Sequence, residues 1–184
     1  MTIKIGIQRV GKVDSSILKL LSEELPKIFK NAVVDVIDVV IDPPRSAYDV
    51  HRKQWLSPLI LNCLGACSHH KAYARILGVA DLDAYVPGLN FVFGEAQLYG
   101  KFCIIYLPRL RFFINTLAKD PLQVFYERVV KEAVHELGHT FGLKHCSKPT
   151  CVMRFSNSVL DTDFKSSKFC ESCSSQLAKI GIMV

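Results

Sequence analysis

No run in the 184 residues approaches the ~20 consecutive apolar residues that a membrane-crossing helix needs. The opening stretch, MTIKIGIQRVG, lacks the long apolar core and small-residue cleavage site of a secretory signal. It starts at once on a strand-like alternation, which leaves no space for an inhibitory pro-segment. Internal repeats and low-complexity tracts are missing as well. The formal charge of +6 comes from 23 Lys and Arg against 17 Asp and Glu, but these are scattered, and no basic stripe is interleaved with aromatics. That excludes the usual footprint of a nucleic-acid-binding protein. These absences together predict a cytoplasmic monomer made in its final form, with neither membrane nor nucleic acid as a partner.

What is present suits one well-packed domain: 49% of residues are hydrophobic and 22% charged. In an intracellular chain, seven cysteines are expected to be ligands or buried thiols rather than disulfides. Cys63, Cys67 and Cys103 lie upstream, whereas Cys146, Cys151, Cys170 and Cys173 crowd into the last 39 residues. That skew predicts two organised regions.

Ile3, Ile5 and Ile7 alternate with polar or small residues and predict a first strand. Residues 14–29 have helical apolar spacing, with Pro26 expected to kink or divide the helix. AVVDVIDVVI (32–41) reads as a second strand, so a βαβ unit opens the chain. A helix within 45–67, a third strand within 72–80 and two strands joined near Tyr99-Gly100 follow. Asp120 and Pro121 open the longest helix, with Gln123 expected to complete a capping box. Its apolar positions carry it to Gly142.

That helix holds the chemistry. In HELGHTFGLKHC (135–146), His135 and His139 are four apart, on one helical face, about 6 Å apart along the axis. Both can turn a ring nitrogen to one metal ion, and Glu136 can reach a water on it. Gly142 falls where a left-handed residue would stop the helix and let His145 swing back as a third ligand. Three neutral imidazoles leave one tetrahedral position open, as a catalytic zinc requires. Such ligands are expected to protonate near ~6.5, so mild acid or a chelator should empty the site first.

Cys146 and Cys151 form one close pair, and Cys170 and Cys173 another, 18 residues on. Two close pairs suit a closed tetrahedral structural zinc site. The rival readings are a redox pair at Cys170 and Cys173, or Cys146 as an inhibitory ligand of the histidine metal. Neighbours on an extended turn project to opposite sides, so His145 and Cys146 are expected to serve different ions.

H-E-x-x-H-x-x-G-x-x-H resembles the signature of the metzincin zinc peptidases. HCSKPTCVM and FCESC, with LDAYVPGLNFVFGEAQ upstream, resemble one branch of that clan, the archaemetzincins. The resemblance implies an α+β zincin-like fold: a mixed, mostly parallel sheet of about five strands with an antiparallel edge strand, an active-site helix and a small zinc-stapled carboxy-terminal region. It implies one catalytic domain over 1–184, with a sheet-and-helix half (1–145) and a cysteine-zinc half (146–184). Met153 matches the methionine that packs beneath the catalytic zinc. Phe91, Val92, Phe93, Gly94, Glu95 and Ala96 match the edge strand that lines the cleft, and an edge strand offers unpaired amides and carbonyls to an extended peptide.

The activity expected is hydrolysis of a peptide bond in a peptide or protein, with two zinc ions per chain. Zinc would polarise the carbonyl and acidify a bound water. Glu136 would take that water's proton and pass it to the leaving amine. Two other classes remain open, a zinc amidohydrolase of small non-peptide amides and a non-enzymatic zinc-binding protein, although the latter has no need of Glu136. Cys63, Cys67, His69 and His70 cluster in CLGACSHH without a resemblance to assign them a metal, and Tyr48, Tyr85, Tyr99 and Tyr106 are undistinguished candidates for transition-state assistance.

Overall fold

The alternation of Ile3, Ile5 and Ile7 buries all three in β1 (Ile3–Val10). A Cβ on Gly6, between them, would meet Ile37, Ile76 and Tyr73, so the strand's second face is covered too. A strand covered on both faces belongs inside a sheet. The computed structural model describes residues 2–66, 68–112 and 120–184, with Ser68 and His69 as backbone alone. Among the described residues, five strands form the main sheet in the order β2-β1-β5-β8-β7: β2 is Ala32–Ile41, β5 Arg75–Ala80, β8 Phe102–Tyr106 and β7 Gly94–Ala96. The first four run parallel and β7 pairs antiparallel with β8 at the edge. This is the mixed sheet that the sequence predicts.

Helix α1 (Ser15–Ile28) joins β1 to β2, with Asp14 accepting the Ser16 amide at 2.8 Å as its cap. Pro26 does not divide it, which was one of the two outcomes expected from sequence. The proline sits in the last turn, where its missing amide costs a single bond, and the Phe29 amide reaches Leu25 O at 2.8 Å just beyond. On the other face of the sheet, α2 (Ser57–Gly65) buries Ile60, Leu61 and Leu64 against Ile76, Ile104 and Tyr106. Short strands β3 (Tyr48–Asp49), β4 (Gln54–Leu56) and β6 (Ala84–Tyr85) make a second small sheet.

Helix α3 (Pro121–Thr140) lies under the sheet beside α1. Asp120 caps it by accepting the Leu122 amide at 3.1 Å, while Gln123 turns to Glu127 instead of completing a capping box. Buried charges fasten α3 to α4 (Val159–Phe164): Arg128 grips Asp163 with two bonds of 2.7 Å, and Lys131 donates to Thr162 O and Asp163 O. The carboxy-terminal stretch, ending in α5 (Glu171–Lys179), adds Val152, Met153, Leu177 and Ile182 to the core already built by β1, α1 and α3. Among the described residues no helix is long and apolar enough to cross a membrane.

Candidate active site and a second cluster of cysteines

Gly142 decides how the chain leaves α3. Its φ of +96° is open to glycine, its amide donates to His139 O at 2.9 Å, and the Leu143 amide reaches back to Gly138 O at 3.1 Å. This pair of bonds is a Schellman stop. A Cβ on Gly142 would also collide with the Tyr99 ring, whose own amide donates to His139 O. The chain therefore turns sharply and brings His145 back to His135 and His139, with ring centroids 4.6 to 5.4 Å apart.

The ring hydrogen bonds fix which nitrogens face inward. Nδ1 of His135 lies 2.8 Å from Val152 O, and Nδ1 of His139 lies 2.7 Å from Leu143 O. Carbonyls only accept, so each Nδ1 carries the proton and each Nε2 keeps a lone pair. Those two Nε2 atoms stand 3.1 Å apart. Lone pairs that close repel unless a cation joins them. Imidazoles on a tetrahedral zinc at ~2.0–2.1 Å stand roughly 3.3 Å from one another, so the donor set fits that ion.

Burial holds His135 well below its ordinary pKa, with Lys165 and His139 adding to the effect, and burial takes His139 down to about 4. His145 is lowered as well, by burial and then by Lys165. Without metal these rings hold their neutral, ligating form to lower pH than the reference ~6.5. The Glu136 carboxyl is pushed the other way, well above its usual range, by burial and by Glu132 and Glu95, with Lys165 opposing. A cation among the imidazoles would pull it back towards ionisation.

Glu136 lies in a cleft of about 840 Å³ that also holds the three histidines. Gly94, Glu95 and Ala96 of β7 line it together with Phe155, Ser156 and Asn157, and the Phe155 ring is 4.9 Å from that of His145. Of the six residues expected as an edge strand, three are strand, Gly94, Glu95 and Ala96. The Val92 amide is tied to Ala84 O at 3.0 Å, which ends the free edge before it begins at Phe91. Tyr106 N bonds Phe93 O and Gln97 N bonds Phe102 O, so Phe93, Glu95 and Gln97 face β8. Gly94 and Ala96 therefore turn their amides and carbonyls outward.

Two neighbours of the site, Gly94 and Met153, were expected from sequence, and two, Glu132 and Lys165, were missed. Gly94 has no side chain where one would strike Glu136. Met153 Sδ occupies the space beside Gly138, between His135 and His139 in the chain, so the methionine packs on α3 beneath the histidines. Glu132, one turn before Glu136, pairs with the buried Lys165 at 2.9 Å, and Lys165 also donates to Arg154 O. The i, i+4 spacing from Glu132 to Glu136 was a usable signal; nothing in the sequence pointed to Lys165.

The four cysteines gather beside this site, their sulfurs within 4.8 Å of one another. Cys146 and Cys170 are 3.8 Å apart, as are Cys151 and Cys173. That is far too long for a disulfide and matches the roughly 3.8 Å between thiolates on a tetrahedral zinc. Burial pushes the Cys170 thiol up, but the Cys173 amide and the other three thiols bring it to about 7. His145 and Cys146, adjacent in the chain, thus serve separate clusters.

The weaker candidates fall away. Cys63 is half-buried against the second core, Cys103 is buried, and His70 Nε2 is 2.9 Å from Gln8 Oε1. Cys67 and the His69 side chain lie outside the described residues. Tyr106 bonds Ser57, Tyr85 bonds Asp49, Tyr48 packs on Trp55 and Tyr99 covers Gly142; none of the four lines the cleft.

Comparison with known proteins agrees with this geometry. The family model for peptidase family M54 matches residues 36–179. The archaemetzincin of Methanocaldococcus jannaschii is 41% identical, covering 100% of this chain and 98% of its own, and that of Archaeoglobus fulgidus is 45% identical over 95% and 98%. The crystal structure of the Methanopyrus kandleri archaemetzincin superposes with a TM-score of 0.83 at 36% identity, covering 97% of this chain and 94% of that one. The A. fulgidus archaemetzincin complexed with malonate gives 0.80 at 43% identity, over 95% and 99%. Matched in this way along its length, the chain belongs to peptidase family M54 and is a zinc metallopeptidase.

Proposed function

We propose that His135, His139 and His145 hold the catalytic zinc, that Glu136 is the general base, and that Cys146, Cys151, Cys170 and Cys173 hold a second, structural zinc. Held by His135, His139 and His145, a zinc ion would supply Lewis acidity towards the scissile carbonyl and a cleft water. Glu136 accepts that water's proton and delivers it to the leaving amine, a transfer its burial favours by raising its proton affinity. The Nδ1 bonds to Val152 O and Leu143 O keep His135 and His139 in the ligating tautomer. Gly94 and Ala96 hydrogen-bond the backbone of an extended peptide. Met153 and Gly142 shape the site without touching substrate. Joined by a zinc ion, Cys146, Cys151, Cys170 and Cys173 would brace the turn that carries His145.

The observation that carries this reading is the meeting, in one cleft, of three convergent imidazole nitrogens, a buried carboxylate and a strand edge that turns the amides and carbonyls of Gly94 and Ala96 outward. That edge suits a polypeptide better than a small amide. The chain is read as one catalytic domain in two halves, 1–145 and 146–184, acting as a cytoplasmic monomer with no nucleic-acid partner, in keeping with its scattered basic residues. To test the reading, the zinc-loaded protein is incubated with a mixed peptide pool and the products are identified by mass spectrometry. Cleavage that stops on chelation and returns with zinc is expected; a pool left intact by zinc-loaded protein would refute it.

A further inference from the structure

The loop that leads into β7 is held from outside the cleft. One terminal nitrogen of Arg52 donates to two successive carbonyls, Leu89 O at 3.3 Å and Asn90 O at 3.0 Å. Buried Gln54 donates to Asn90 O as well, at 3.0 Å, and its own side-chain oxygen accepts Arg52 Nε at 3.0 Å. We infer that Arg52 is a positioning residue for substrate: by drawing these carbonyls to itself it presents the amides of Asn90 and Phe91 to a substrate carbonyl. The inference rests on the peptidase reading of the cleft.

Peptide geometry gives the direction. A trans peptide is planar, and its N–H points opposite to its C=O. Among the described residues no peptide bond is cis, so the amides that follow those two carbonyls, of Asn90 and Phe91, point away from Arg52. Both residues line the cleft with the histidines and Glu136, whereas Arg52 does not. Neither amide has a hydrogen-bond partner among the described residues. Because the two carbonyls share one side of the chain, the two amides share the other, where a single oxygen with two lone pairs can accept both.

Arg52 is itself fixed. Asp49 accepts the amides of His51 and Arg52 at 2.9 and 3.0 Å and the Tyr85 hydroxyl at 3.2 Å. The guanidinium lies over the Tyr85 ring at 4.1 Å. Stacking on a ring while donating from two nitrogens of one plane needs a guanidinium; a lysine ammonium is a single point of charge.

The test follows a blocked eight-residue peptide that alternates alanine and leucine between terminal lysines. Arg52→Ala, at an exposed position, should raise KM about tenfold while kcat, zinc content and Tm hold. Arg52→Lys should recover little of that loss, and added methylguanidinium should lower the KM of Arg52→Ala towards the wild type. In zinc-loaded Glu136→Gln protein the peptide should move the amide proton resonances of Asn90 and Phe91 downfield. With Arg52→Ala added, both shifts should shrink and calorimetry should show binding about tenfold weaker. An unchanged KM in Arg52→Ala, a loss confined to kcat, or amide resonances that ignore the peptide would each overturn the inference. So would a raised KM that comes with lost zinc or a lowered Tm, which assigns Arg52 to stability alone. Peptide that shifts both amides in an Arg52-dependent way but is never cut by the wild type would refute the peptidase reading and leave the role of Arg52 standing. Cutting with silent amides would do the reverse.

Discussion

Gly94 of the edge strand and Glu136 of the active-site helix meet so closely that a methyl group on Gly94 would stand 2.6 Å from both Cγ and Oε1 of Glu136. The strand proposed to hold the peptide is thus also a wall of the Glu136 carboxylate's position. Gly94→Ala should displace the carboxylate while leaving strand pairing intact, because the substitution needs only space. A fall in kcat of about 100-fold with unchanged zinc content is expected, since an ångström of misplacement costs that much. Wild-type turnover by Gly94→Ala would mean that Glu136 has slack in its setting.

The edge itself can be probed by proline. Ala96 turns its amide away from β8, so Ala96→Pro removes a substrate contact at a position where a sheet edge tolerates proline. Peptide cleavage should drop about tenfold, mostly through KM, with folding retained. Glu95→Pro removes a ladder amide and should instead destabilise the fold, as thermal melting would report. Equal effects of the two on melting would contradict the register.

The two metal sites should differ in lability. The histidine site opens on the cleft and its third ligand, His145, is exposed, whereas Cys151 and Cys173 are buried. A chelator titration followed by elemental analysis should show loss of one zinc with activity, then a slower second. Cys170→Ser should lose only the slow ion and lower Tm by ~10 °C or more. Simultaneous loss of both ions would contradict independent sites.

The pH response of the metal-free chain follows from the imidazoles. His139 has a folded pKa of about 4 against ~6.5 unfolded, and His135 is depressed too. Between those values the unfolded chain binds protons that the folded chain refuses. The imidazole contribution to stability is therefore full above ~6.5 and declines as pH falls towards 4. The raised carboxyls of Glu136 and Glu95 act with the opposite sign, so the comparison is with His139→Gln. From pH 7 to pH 4 the urea midpoint of the wild type should fall relative to that variant, and parallel profiles would mean the ring is not buried in solution.

Much of this was legible in the sequence because its signals are local. The Ile3, Ile5, Ile7 alternation, the i, i+4 histidines and the glycine stop at Gly142 depend on neighbours a few residues away. What stayed hidden depends on partners distant in sequence. Val92 reads as strand, yet its amide goes to Ala84; Lys165 is buried because Glu132 and Arg154 O receive it; Pro26 reads as a breaker but falls in a last turn. The pKa depression of the histidines was missed for the same reason, since burial is set by everything packed around α3 rather than by its own sequence.

The most direct measurement compares wild-type and Glu136→Gln proteins, purified together, for zinc content and for hydrolysis of a peptide pool. If Glu136 is the base and not a ligand, both should carry two zinc ions per chain, while hydrolysis by the variant falls at least ~100-fold. A variant that loses zinc along with activity, or one that retains wild-type hydrolysis, would contradict the mechanism.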